Sequence, residues 1–265
     1  MSDHLLLTRE DAVATLTMNR PEVRNALSVE MRAAMYDALE EVEHDDSVRC
    51  VVLRGAGGHF MSGGDIKAFN DYLEMSGKER EIAFERRVHG LHPMIMIMKR
   101  MAKPVLASVE GAVAGAGLSF MIACDLAIAA DTSYFAFSYV NIGASPDGSG
   151  TYHLPRIVGV RKALELAIMG ERFDAAEAER LGLVNWVVPE ADIAEETAKL
   201  ARKLASKPGQ AVGASKQMMY ASHANSLEAQ LALEARNFAR CAGTEDWAEG
   251  VRAFMEKRKP EFKGR

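Results

Sequence analysis

EGAVAGAGLSFMIACD, residues 110–125, follows the apolar run PVLASV (104–109) and sets glycines 111, 115 and 117 among alanines ahead of a largely apolar stretch. Glycine and alanine at this density strip bulk from a backbone, so the question is what must approach it. A nucleotide phosphate, a carbonyl oxygen about to carry negative charge and a tightly packed helix are the candidates. A strand, a glycine turn and a buried helix in succession read as α/β organisation.

Outward from that segment the same grammar recurs. DLAIAAD (125–131) is another apolar strand. Upstream, AVATLTMN (12–19) alternates and is rich in β-formers, and RPEVRN (20–25) ends it because Pro21 cannot donate to a ladder. Ser28 is placed as N-cap of the helix VEMRAAMYDALEEVEHD (29–45), and VRCVVLRGAGG (48–58) follows as a strand closed by a glycine loop. Strand, helix, strand implies a parallel pair, which needs such a crossover.

Residues 69–103 are charged first and methionine-rich later, which predicts a mobile segment and then a helix, with Met94, Met96 and Met98 open to roles in the core or a pocket wall. After VVPEAD (187–192) the composition turns to Ala, Glu, Lys and Arg. The expected division is a core over 1–199 and a helical region over 200–265 that packs on the core or on another subunit.

With 37 acidic against 32 basic side chains, the 265 residues carry a formal charge of −5, which gives no general reason to bind nucleic acid or an anionic membrane. Cys50, Cys124 and Cys241 are odd in number, far apart and outside any CxxC pattern, so reduced thiols and no metal site are expected. MSDHLLLTRED lacks the features of a secretion signal, and no apolar run reaches spanning length. A cytoplasmic protein without membrane or nucleic-acid partners is the resulting expectation.

A dinucleotide fingerprint needs G-x-G-x-x-G, but Phe120 stands where the third glycine would fall, and no Gly-Lys-Ser/Thr completes a phosphate loop. This argues against an NAD-dependent oxidoreductase. A second segment, GGHFMSGGDIKAF (57–69), also places glycines after a strand and before a helical stretch. If the two turns face each other, each can offer one free N–H to the same point and stabilise negative charge on a thioester oxygen. Helix N-termini add their dipoles.

FMSGGDIKAF resembles the F-S-A-G-x-D-I-K segment of the crotonase family, also called enoyl-CoA hydratase/isomerase, and EGAVAGAGLSFMIACDLAIA resembles its N-G-x-A-x-G-G-G segment. NRPEVRNAL, GLV with VVP, and EGVRAFMEKRKPEF follow in the family's order, so the resemblance covers nearly the whole chain. It implies a spiral of repeated ββα units with a C-terminal helical layer that forms trimers, usually paired into hexamers. It also implies that the two oxyanion N–H donors belong to Gly64 and Ala116, the latter where most relatives have glycine. Alanine is tolerated there if its φ/ψ is ordinary. Arg24, Ser62, Asp65, Ile66 and Lys67 fall at positions lining the nucleotide end of coenzyme A, with Phe254 and Lys257 in the C-terminal segment that reaches the ligand. No metal or resident cofactor is implied, since coenzyme A arrives with an acyl-CoA substrate.

By the same resemblance, hydratases carry glutamates at two positions that here hold Ser119 and Tyr139. Serine is a poor base without a partner, and tyrosine ordinarily titrates near about 10. Asp147, in GASPDGSGTYHLPRIVG, stands where members that shift double bonds or open a strained ring keep an aspartate. A single carboxylate suffices for a 1,3-proton shift. Read locally, Pro-Asp-Gly is also an ordinary turn, and Tyr139 could bond Asp147, bond the substrate or only fill core.

The expected function is acyl-CoA isomerisation through a thioester enolate. The alternatives are a hydratase with atypical residues, a non-catalytic acyl-CoA binding protein, and a dehalogenase-like hydrolase in which Asp147 is the nucleophile and His92 assists hydrolysis. Isomerisation is preferred to dehalogenation because MIMIMKRM (94–101) suits a flexible acyl chain better than a ring cage.

Overall fold

In CVVLRG, residues 50–55, Val51 and Leu53 belong to one hydrophobic core and Cys50 and Val52 to another. Successive side chains of a strand point to opposite faces, so a strand apolar from Cys50 to Leu53 is buried on both. The computed structural model describes residues 3–264. Its main sheet runs β1 (Leu5–Glu10), β2 (Val13–Met18), β3 (Cys50–Gly55), β4 (Val105–Val109), β6 (Leu126–Ala130) and β9 (Trp186–Val188), parallel except for the β1/β2 hairpin. A smaller sheet joins β5 (Ala112–Ala114), β7 (Tyr134–Ala136) and β8 (Arg172–Asp174).

The crossover from β2 to β3 is α1 (Val29–His44), started by Ser28, whose Oγ accepts the Met31 N–H at 3.0 Å. Its apolar stripe, including Met31, Met35, Leu39 and Val42, enters the larger core. Helices α2 (Ile66–Phe69), α3 (Gly77–His89) and α4 (His92–Arg100) bridge β3 to β4. The charged part of 69–103 therefore contains a helix, α3, opened by a reciprocal capping box between Ser76 and Glu79. Of the methionines, Met94 and Met98 are core, whereas Met96 is 61% exposed.

The chain then repeats one unit, with a strand in the main sheet, a short strand in the small sheet and a helix. β4, β5 and α5 (Ala116–Ala123) form one turn. β6 and β7 lead through residues 137–149, which include a 3₁₀ turn at Ser138–Ile142, into α6 (Gly150–Val158) and α7 (Val160–Met169). One turn earlier, Met61 bridges Val113 in parallel and extends the small sheet by a residue. The segment quoted above is thus strand before helix, because the Met61 N–H donates to the Ala112 carbonyl and the Met61 carbonyl accepts the Ala114 N–H, both at 3.0 Å. Whatever follows each short strand comes to the same corner of the molecule.

Beyond α8 (Ala175–Arg180), α9 (Ile193–Ala205) closes the sheet's other face, where Ile193, Ala201 and Ala205 meet Cys50, Val52, Leu106 and Ile128. Ser108 on β4 bonds Thr197 across this layer at 2.7 Å. Residue 200 lies within α9, and α10 (Gly209–Ala221), α11 (Leu227–Ala242) and α12 (Glu245–Met255) complete the chain. Among the described residues no helix is long and apolar enough to cross a membrane.

Candidate active site

Three successive turns of the repeat deliver residues 62–64, 115–116 and 138–139 to one cavity of about 920 Å³. The first two touch. Gly63 has φ +110°, and a Cβ there would lie 3.1 Å from the Ala114 oxygen and 3.7 Å from the Ala116 nitrogen. The Gly63 carbonyl is occupied by the Leu27 N–H at 2.8 Å, but the N–H groups of Gly64 and Ala116 donate to no acceptor among the described residues. Gly115 takes the unusual backbone conformation, φ 50° and ψ −121°, at the N-cap of α5. Ala116 is not among the residues with positive φ, so alanine fits the first turn of α5 without strain. The helix dipole places partial positive charge at that end.

Asp147 overlooks the same cavity. Its carbonyl accepts the Gly150 N–H at 3.0 Å, as in an ordinary turn, but its side chain does not cap that turn. It accepts the Tyr139 hydroxyl at 2.7 Å, and Tyr139 in turn meets Ser119 Oγ at 2.9 Å. With Tyr139 donating to the carboxylate, Ser119 donates to Tyr139, and the chain of hydroxyls orients one acid. Gly150 permits this approach, since a Cβ there would lie 2.6 Å from Ser119 Oγ and from the Phe137 ring. Ser119 and Tyr139 are both buried.

Burial raises the Asp147 pKa above its ordinary 3.8, against the opposing pull of the Tyr139 hydrogen bond and the charges of Arg87 and His92. Burial likewise pushes Tyr139 well above its usual value, helped by the nearby carboxylate, so it stays a donor. Asp147 accepts a proton only when ionised, so activity is lost as pH falls through a folded pKa lying above 3.8. Tyr139→Phe removes a hydrogen bond that favours the carboxylate. The expected result is an acidic limb of kcat/KM displaced to higher pH, with about a tenfold fall in kcat/KM, read from the pH dependence of turnover.

Gly64, Ala116, Tyr139, Asp147, His92, Ser62 and Ile66 line the cavity together. Arg24, Asp65, Lys67, Phe254 and Lys257 do not. Arg24 is exposed, with Nη1 3.4 Å from the Tyr134 hydroxyl. Asp65 caps α2 through the Ala68 N–H and pairs with Arg20 at 2.8 Å. Lys67 is exposed on α2, Phe254 is 82% exposed beside a separate apolar cleft, and Lys257 follows α12 with φ 55°.

The preference for a flexible acyl chain drawn from MIMIMKRM needs correction. None of those residues reaches the cavity, because the buried face of α4 packs into the core. The wall is instead aromatic and cationic. Phe69 and Phe84 meet edge to face at 4.9 Å, and Arg87 stands 5.0 Å over the Phe69 ring. Arg32 and Arg87 both face the cavity. No spacing in the sequence marks Arg32, Phe84 and Arg87, which the approach of α1 to α3 brings to Phe69 at the end of α2.

The profile of the family described as Enoyl-CoA hydratase/isomerase matches residues 8–265. The chain is 36% identical over 266 residues to the 1,2-epoxyphenylacetyl-CoA isomerase of Escherichia coli (strain K12), covering 100% of both chains. It is 38% identical over 258 residues to a probable enoyl-CoA hydratase of Rhodobacter capsulatus, covering 96% of each. Among solved structures, an enoyl-CoA hydratase from Polaromonas sp. JS666 superposes with a TM-score of 0.91 at 35% identity, over 98% of this chain and 99% of that one.

Proposed function

The chain belongs to the enoyl-CoA hydratase/isomerase family, and from that premise we propose that it is an acyl-CoA isomerase that shifts a double bond, or opens a strained ring, with Asp147 as acid and base. The observation carrying this reading is the Ser119–Tyr139–Asp147 chain. Where hydration would call on two carboxylates, two hydroxyls serve a single one. Glu81, the other carboxylate on the wall, is exposed and paired with Lys78 at 2.9 Å.

In this reading the thioester oxygen accepts the N–H groups of Gly64 and Ala116. Asp147 takes a proton from the α-carbon, and the C–H electron pair moves toward the carbonyl to give an enolate held by those donors. The double bond relocates when Asp147 returns the proton to the γ-carbon, and no oxidant or second substrate is consumed. Coenzyme A enters with the substrate, its nucleotide end toward exposed Arg24 and Lys67. Trimers, or pairs of trimers, assemble through α11 and α12, which leave Leu227, Phe238 and Phe254 exposed.

The test is incubation with a 3-enoyl-CoA and with crotonyl-CoA. Isomerisation of the first and negligible hydration of the second are expected, and rapid hydration that persists in Asp147→Asn overturns the assignment. A second reading, aryl dehalogenation with Asp147 as nucleophile, draws support from His92 and the aromatic wall on the same cavity. Chloride release from 4-chlorobenzoyl-CoA selects it instead.

A further inference from the structure

We infer that the acyl group handled beside Asp147 ends in a carboxylate, held by Arg87 with Arg32 behind it. This rests on the isomerase reading and specifies its substrate class as the mono-thioesters of short unsaturated dicarboxylic acids.

Both guanidiniums are part-buried on the cavity wall, and neither has a carboxylate partner among the described residues. Arg87 gives one N–H to the Leu27 carbonyl at 3.3 Å, and Arg32 gives one to the Arg87 carbonyl at 2.9 Å. Most of their donors remain unspent. Gly90 makes room for the pair, since a Cβ there would lie 2.8 Å from Arg32 Nη1. Partial burial together with the Arg87 charge pushes the Arg32 pKa down. Of the two anions on this wall, Asp147 feels the Arg87 charge but spends its side-chain hydrogen bond on Tyr139, and Glu81 pairs with Lys78. An arriving carboxylate matches the planar fork of arginine and relieves the repulsion.

The spacing suits a short chain. A Cβ at Gly64 would lie 2.9 Å from Phe69 Cζ, and the Arg87 guanidinium sits over that same ring. One phenyl ring therefore separates the thioester oxygen's donor from the cation. A flat unsaturated chain laid along Phe69 reaches from one to the other.

The experiment compares the mono-CoA thioester of trans-3-hexenedioic acid with trans-3-hexenoyl-CoA, following double-bond migration and solvent-deuterium uptake. Coenzyme A is common to both, so contributions from its phosphates cancel in the ratio. The diacid is expected to have a kcat/KM about ten- to a hundredfold higher. Arg87→Met should bring that ratio close to one, and Arg87→Lys, which keeps charge but loses the fork, should retain part of it. Raising ionic strength should lower the ratio in the wild-type enzyme, a readout independent of any variant's folding. A neutral thioester turned over as well as the diacid overturns this inference and leaves the isomerase standing. Failure of both thioesters to exchange or isomerise overturns the isomerase reading itself.

Discussion

Substituting Asn for Asp147 is expected to slow double-bond migration and α-carbon deuterium exchange by about 10²- to 10⁴-fold, the range lost when a positioned general base is removed. Thioester binding should change little, because Gly64 and Ala116 act through backbone N–H groups. Asparagine keeps an acceptor for the Tyr139 hydroxyl now at 2.7 Å from the carboxylate, so the loss should appear in kcat with KM nearly constant. The same variant should be at least as stable as the wild type at neutral pH. Burial raises the folded pKa of Asp147 above its ordinary 3.8, so just above pH 3.8 the folded state binds more protons than the unfolded one. Stability contributed by this group is present below 3.8 and lost as pH rises through the folded pKa. Thermal unfolding at pH 7 should give a Tm for Asp147→Asn equal to or above the wild type's, with any advantage gone under acid conditions. Undiminished exchange in the variant would remove Asp147 from the chemistry.

Removing a different aspartate should destabilise the fold strongly. Asp125 binds Lys216 at 2.7 Å, the Tyr220 hydroxyl at 2.8 Å and the Val105 N–H at 2.8 Å. Lys216 in turn donates to the carbonyls of Met98 and Lys103, and Lys99 donates to Tyr220 at 2.8 Å. One carboxylate thus ties α10 to α4 and β4 while compensating two lysines removed from water. Lys216 is pushed down by burial and supported by Asp125, and burial lowers Lys99 to about 8. Asp125→Ala leaves those charges uncompensated and should cost about 3–5 kcal/mol in urea unfolding. Adding Lys216→Met should recover a substantial part, since a paired deletion leaves fewer stranded charges. The Lys99 sign is independent of this. Between pH 8 and its ordinary 10.5 the unfolded chain holds a proton that the folded one has released, so stability should rise with pH across that window. Lys99→Met should flatten the rise.

Much of this architecture was legible along the chain because its signals are local. Alternation in AVATLTMN marks β2, Ser28 ahead of a helical stripe marks α1, and strand–helix–strand order makes β2 and β3 parallel. β1 is not legible in this way, since LLLTRE is mostly exposed on its edge and lacks a clean apolar face. β5 carries no local strand signal, because its three residues sit between glycines and pair only with Met61 and β7, partners far away in sequence. The Ser76-x-x-Glu79 cap is a local signal for α3, set in surroundings whose charge gives no apolar stripe.

The site divides along the same line. The family resemblance placed Gly64, Ala116 and Asp147 because motif positions are a one-dimensional property, and all three line one cavity. Whether Tyr139 filled core or served Asp147 depended on the direction of a hydroxyl, which no string of letters encodes. The aromatic and arginine wall depended on α1 and α3 meeting across more than fifty residues of chain. From its sequence alone this protein is an α/β chain with backbone donors at two glycine turns and one acid. Its tertiary structure decided that Ser119 and Tyr139 hold that acid, and that Arg87 and Arg32, without a carboxylate partner among the described residues, line the same cavity, because contacts between elements arise from packing geometry and not from local propensity.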